Sequence, residues 1–418
     1  METVKINENI NLHYIPMTKL KTTRIGIYIG TNLKKEEVSL SALLPYVLMK
    51  ATKKAENASE MAKYLQNLYG AKLYTGVSKR GDNRFINFEG EVISDRYAPG
   101  GEKLLKGLID LMLSVVFEPI TENGAFKADI IEREKKNSIN RIKGIINDKT
   151  RYADKKCIEE MFKGEEYSVS EYGYIDDIEK ITPKSLFEYY KKMITESAIN
   201  IFLCGELNIA EVEKEVRAAV SGMSFKKAEL AENKIINSDK ECREIKEQTE
   251  LTQGKLSIGF RTNVCADSPE IWALIVANNI YGGGMGAKLF NNVREKLSLA
   301  YYVSTSIDRS KGFMLLHAGI AFDKFDEAKK EIFVQLNEMK NGNITDDEMS
   351  NAKSEIVNAL NSCYDDQKQL QSYYMGNIIS GTDVSLEEYK ENIKKVTKQE
   401  VIDVINKLET DTIYFLEK

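Results

Sequence analysis

The chain repeats itself, and this limits its fold more than any other feature. "RIGIYIGTN" at 24–32 matches "KLSIGFRTN" at 255–263, each a short strand pattern ending in Thr-Asn. "GAKL" stands at Gly70–Leu73 and again, verbatim, at Gly286–Leu289. Strand-like "NRFINFEGEVI" (83–93) follows the first copy and "GFMLLHAGIAF" (312–322) the second, each ahead of an apolar-striped helix. "EPITENGAF" parallels "GNITDDEM", and "YIDDIEKITPKSLFEYY" parallels "YKENIKKVTKQEVIDVI". Each half finishes on a β-rich run, "AINIFLCG" or "TIYFL". The chain has 418 residues, too many for one core, and the shared order of elements makes it a duplicated domain.

The expected boundaries are an N-terminal domain at 1–222, a charged linker at 223–250 and a C-terminal domain at 251–418. Alternating βαβ units are missing, so a doubly wound parallel sheet is not expected. The pattern predicts an α+β fold, each domain a mostly antiparallel sheet with helices on one face. Two such domains are expected to enclose a chamber, where ligands usually bind.

Composition removes several function classes. The net charge of −5 lies in no long like-charge block, which argues against nucleic acid or a membrane surface as partner. "METVKINENINLHYIP" has neither the basic start nor the apolar core of a signal peptide, and no apolar run approaches a membrane span. Five dispersed cysteines without a C-x-x-C favour reduced thiols and a cytoplasmic location. There are two histidines, His13 and His317, both in strand patterns where a hydrogen-bonded or packed role is expected. Aligning the halves by these strand segments sets His317 opposite Phe88, which agrees with packing.

"YGGGMGAKLFNNVREKLSLAYY" (281–302) is the stretch that looks most chemical. It is not a Walker-type loop: Ala287 follows Gly286, Leu289 follows Lys288, and the magnesium-binding hydroxyl is absent. Its simplest reading is a helix ended by Gly282–Gly284 and a second helix with Leu289, Phe290, Val293 and Leu297 as its apolar stripe. A strand, "LAYYVSTSI", follows. Arg294 then points off the apolar stripe, and Tyr301 and Tyr302 face opposite sides of the strand.

Glycine cluster, small residue, Leu-Phe, Arg-Glu-Lys, small residue, Leu-Ala-Tyr: this order resembles the second-domain signature of the pitrilysin family of zinc peptidases. That family includes insulin-degrading enzyme and the mitochondrial processing peptidase. The resemblance extends over the whole chain, because family members are built from duplicated α+β domains around a substrate chamber. It implies that Arg294 and Tyr301 contact a bound peptide beside the scissile bond. The tyrosine hydroxyl would donate to a developing oxyanion and the arginine would fix the peptide backbone or a terminal carboxylate. Ser298 departs from the family, where glycine is usual.

Active members carry H-x-x-E-H on the first long helix of the first domain, with a third ligand, a glutamate, on a later helix. Here the counterpart is "EEVSLSALLPYVLMKATKK" (36–54), and the motif positions fall on Ala42, Pro45 and Tyr46. None can bind zinc or act as base, so no metal and no catalytic residue is expected in the isolated chain. Glu132 and Glu134 are candidates for a remnant third ligand, against a solvated helix face. The resemblance therefore implies a non-catalytic subunit. Its expected partner is a homologous chain bearing H-x-x-E-H and zinc, in a dimer acting on a peptide substrate. A structural scaffold, or a stand-alone peptide-binding protein of the same fold, is the alternative.

Overall fold

The computed structural model describes residues 1–232, 235 and 241–418. In chain order the first elements are β1 (Glu2–Lys5), β2 (Ile10–Pro16), β3 (Thr22–Asn32), α1 (Lys35–Leu48), α2 (Ala58–Asn67), β4 (Lys72–Arg80) and β5 (Asn83–Ile93). Then come α3 (Leu104–Phe117), α4 (Ala128–Gly144), α5 (Lys149–Met161), α6 (Ile175–Lys180), α7 (Pro183–Glu196), β6 (Ala198–Gly205) and α8 (Ile209–Ala219). The second half contributes β7 (Arg243–Gln248), β8 (Gly254–Arg261), α9 (Ile271–Asn278), β9 (Ala300–Asp308), β10 (Phe313–Ile320) and α10 (Phe325–Lys340). It ends with α11 (Asp346–Ser362), α12 (Gln367–Ser380), α13 (Leu386–Lys395), α14 (Lys398–Asn406) and β11 (Glu409–Glu417).

Two mixed, mostly antiparallel sheets carry the helices, in the orders β1-β2-β6-β3-β5-β4 and β7-β11-β8-β10-β9. The duplication is visible strand by strand. In each sheet the central strand (β3, β8) pairs antiparallel on both sides, and one other pair (β2–β6, β7–β11) is parallel. Superposing the registers puts Ile258 opposite Ile27, Leu316 opposite Phe88 and Thr305 opposite Thr75. Two details of the sequence alignment are thereby corrected. His317 falls opposite Glu89, not Phe88; one residue of slip moves a side chain to the other face of the sheet. The repeated "GAKL" is also not an equivalence, since Gly70–Leu73 runs straight into β4 whereas Gly286–Leu289 precedes another helical turn.

β7 corrects the linker reading as well. "REIKEQ" belongs to the second sheet as the counterpart of β2. Its charges obscured it, but a charged outer strand is what guards a sheet edge against unwanted pairing. The rest of the expected linker includes 233, 234 and 236–240, which lie outside the described residues.

The described residues form two compact units: 1–143, 169–232 and 365–373 in one; 144–168, the described part of 233–364, and 374–418 in the other. In the first, α1, α3 and α7 bury Leu43, Leu44, Leu108, Met112 and Leu186 against Ile27, Ile86 and Phe88. In the second, α10 sets Phe333 against Phe260 and Phe325 against Phe415 on one face, and α5 covers the other. Helices on one face only was therefore too simple. α5 comes from the first half of the sequence, yet its Ala153, Cys157 and Met161 pack on Phe313, Leu315, Tyr414 and Leu416. The first unit receives Gln367 and Gln371 in exchange, which bond to Thr22, Cys204 and Arg24.

A fragment of residues 241–418 lacks α5 and leaves that apolar face in water. It is expected to aggregate or bind a hydrophobic dye strongly, and co-expression with 1–232 should suppress this. A monodisperse fragment that binds no dye would show that α5 is dispensable.

Candidate functional site

Pro45 lies within α1, one turn before its end, and the α-helix runs through it. Ala42 and Pro45 are buried, while Tyr46 is half-buried. On α4 the side chain that reaches Tyr46 is Arg141, its guanidinium carbon 3.4 Å from the ring centroid. Arg141 is steadied by its bond to the Ser138 hydroxyl, 2.7 Å away. A cation on an aromatic face is a favourable pair, worth about 0.5–2 kcal/mol. One turn further along, Lys50 approaches the buried Glu134 at 3.4 Å, and Asn137 donates to the same carboxylate oxygen at 3.2 Å. Glu132 is exposed and paired with Lys135. Both glutamates are thus engaged by lysines, while the α4 side chain against Tyr46 is Arg141. Among the described residues no group of three or more His, Cys, Asp and Glu side chains could hold a metal.

Both histidines are hydrogen-bonded. His13 stacks on Phe202, with Asn200 and Thr3 each 2.9 Å from a ring nitrogen, and burial draws its pKa down. His317 bonds to Ser304 at 2.8 Å.

The glycine-rich stretch is continuous with α9. Residues Asn279–Gly283 form a π-helical turn, and a second such turn spans Phe290–Lys296. The glycines serve close approach, not left-handed φ, because none of Gly282, Gly283, Gly284 or Gly286 has positive φ. A Cβ at Gly282 would stand 2.8 Å from Thr305, and one at Gly284 would stand 2.7 Å from the Glu355 carboxylate. That carboxylate accepts the Met285 amide at 3.1 Å. A negative group already holds the loop's amide, so phosphate would be repelled.

Leu289 and Val293 are buried, as the apolar stripe requires; Phe290 is half-buried, and Leu297 falls outside the stripe at 44% exposure. The helix closes on bonds from the Leu299 amide to the Val293 carbonyl, six residues back, and from the Ser298 amide to the Arg294 carbonyl, four residues back. This is a Schellman-like closure widened by one residue to suit the π-helical turn, and it likewise places a left-handed residue after the cap. Ser298 is that residue, with φ of 51°, which explains why glycine is usual there. Ser298→Gly is expected to raise stability by about 0.5–1 kcal/mol in a denaturant titration. A loss of stability would mean that the serine hydroxyl makes up for the strain.

Arg294 lies over the Phe290 ring at 4.9 Å, beside Glu295 at 3.6 Å. β9 is the outermost strand of its sheet, and its register with β10 skips from Tyr302 to Ala300. Tyr301 is thus the extra residue of a β-bulge, a device that re-aims a side chain. It projects at 66% exposure, whereas Tyr302 turns inward and bonds to Thr150 at 2.8 Å. Arg294, Ser298, Tyr301 and Lys324 together line an open cleft of about 430 Å³. Sequence reasoning missed Lys324; it lies in a short helical turn ahead of α10, with no motif to mark it.

Comparison with known proteins then decides the family. The pattern of the Peptidase M16 inactive domain matches residues 180–356. The chain is 30% identical over 412 residues to the probable inactive metalloprotease YmfF of Bacillus subtilis, covering 98% of this chain and 96% of that one. The chain belongs to the M16 peptidase family. It is an inactive metalloprotease homologue within it. A conserved protein from Enterococcus faecalis V583 of known structure is similar to this chain with a TM-score of 0.89 and 29% identity, covering 100% of this chain and 98% of that one. A chain of complex III from Candida albicans shares the fold at a TM-score of 0.75 and 15% identity, covering 99% and 94%. No helix among the described residues is long and apolar enough to cross a membrane.

Proposed function

We propose that this M16 homologue is the non-catalytic subunit of a two-subunit zinc peptidase, lending Arg294 and Tyr301 to a partner's metal site. The carrying observation is an asymmetry. The positions of the zinc motif are filled by Ala42, Pro45 and a Tyr46 covered by Arg141, while Arg294 and Tyr301 line one cleft with their polar ends in solvent. An unused arginine–tyrosine pair has no reason to be kept clear by a bulge and an off-stripe helix position. The exposed Tyr301 hydroxyl can donate to a peptide carbonyl oxygen as it takes on negative charge. Arg294 can hold the peptide backbone or a carboxylate in two-pronged fashion. Zinc and the general base come from the partner, a homologue with H-x-x-E-H, and the pair acts on peptides in the cytoplasm.

The test is reconstitution. The chain and the H-x-x-E-H homologue of the same organism should each hydrolyse a fluorogenic peptide poorly alone and well when mixed, with a chelator abolishing the activity. A partner equally active without this chain would refute the proposal. The fold shared with a complex III chain leaves a scaffold as the competing role, which predicts no gain on mixing.

A further inference from the structure

We infer that the first unit contains a buried site for a small inorganic anion such as chloride, formed by Arg84, Tyr189 and Ser41. Arg84 is on β5 and shares a face with Ile86 and Phe88, so it points into the helix layer. It is 3% exposed. One nitrogen, Nη1, donates to the Val38 carbonyl of α1 at 3.2 Å. The other two, Nε and Nη2, are buried with no acceptor in reach. Tyr189 of α7 and Ser41 of α1 are also buried; their hydroxyls approach each other without reaching hydrogen-bond geometry, and neither has another partner. The phenol lies near enough to Arg84 and Ser41 for each to influence it. Among the described residues Arg84 forms no ion pair. Glu37 and Glu171 act on it only at longer range, and Glu37 is engaged by Lys192 at 2.5 Å.

Three elements therefore bring together two free guanidinium nitrogens and two hydroxyls, all capable of donating and none in a hydrogen bond of normal geometry. A guanidinium stays protonated in a protein, so its charge must be met by a partner. Water could accept some of these bonds but cannot neutralise the charge. An anion has only acceptor capacity and does both. The burial of every donor selects a small, monovalent ion over sulfate or phosphate. Such an ion would tie α1, the helix bearing Ala42 to Tyr46, to β5 and α7. The inference does not depend on any partner subunit.

Thermal unfolding at constant ionic strength, with chloride exchanged for gluconate, tests it on the intact chain. Once chloride exceeds its dissociation constant, Tm should rise by about 3 °C for each tenfold increase. Tyr189→Phe should weaken this dependence and Arg84→Met should abolish it; if the latter does not fold, the former carries the test. Bromide-soaked crystals should show an anomalous peak between the three side chains. A Tm indifferent to chloride, as ordered water would give, overturns the proposal. So does an equal dependence in Tyr189→Phe, which would place the anion elsewhere.

Discussion

Tyr301→Phe is expected to lower kcat/KM of the reconstituted pair by about 100-fold, the usual cost of losing one donor to an oxyanion. The loss should fall on kcat, because a bond made only as the carbonyl becomes tetrahedral does not strengthen substrate binding. The phenol is 66% exposed on a bulge, so removing its oxygen opens no cavity and the fold should not change. Arg294→Ala should behave differently. A guanidinium that grips the ground-state peptide contributes to binding, so KM should rise by about tenfold or more. Steady-state kinetics on both variants, with circular dichroism as a control, separates the two roles. Wild-type kinetics in Tyr301→Phe would reduce the bulge to architecture.

Restoring the zinc motif is expected to require four changes, not three. Ala42→His, Pro45→Glu and Tyr46→His supply two imidazoles and a base, but leave the Arg141 guanidinium where it now covers residue 46. A cation there opposes a second cation, and two imidazoles alone make a weak site. Adding Arg141→Glu removes the repulsion and supplies a carboxylate from α4. The fourfold variant should bind zinc at least about 100-fold more tightly than the threefold one in a competition titration against a chromophoric chelator. Equal affinities would show that Arg141 does not govern the site. Removing Pro45 also returns a backbone donor to α1, so both variants should keep the helix.

The duplicated α+β plan, the central strands and the off-stripe position of Arg294 were legible because they rest on periodicity and on one dense motif. What could not be read had physical reasons. β7 is almost all charge, since its side chains meet water at a sheet edge. The one-residue slip at His317 arose because "MLLHAGI" is apolar enough to fit either register. The crossing of α5 into the second unit leaves no local trace, as an amphipathic helix does not encode which sheet it will cover. Arg141 was passed over for the glutamates beside it, because a ligand search looks for carboxylates, not for a cation over the aromatic ring. The bulge at Tyr301 depends on β-pairing across the chain, which no local pattern records.

The central claim is that this chain works as half of a peptidase. Native purification of the tagged chain from its own organism tests it most directly, with the co-purifying proteins identified and the eluate assayed for peptide hydrolysis. The account predicts a near-stoichiometric chain of similar size carrying H-x-x-E-H, with hydrolysis that a chelator stops. Recovery of the chain alone, or with proteins that bear no zinc motif and cleave no peptide, would contradict it.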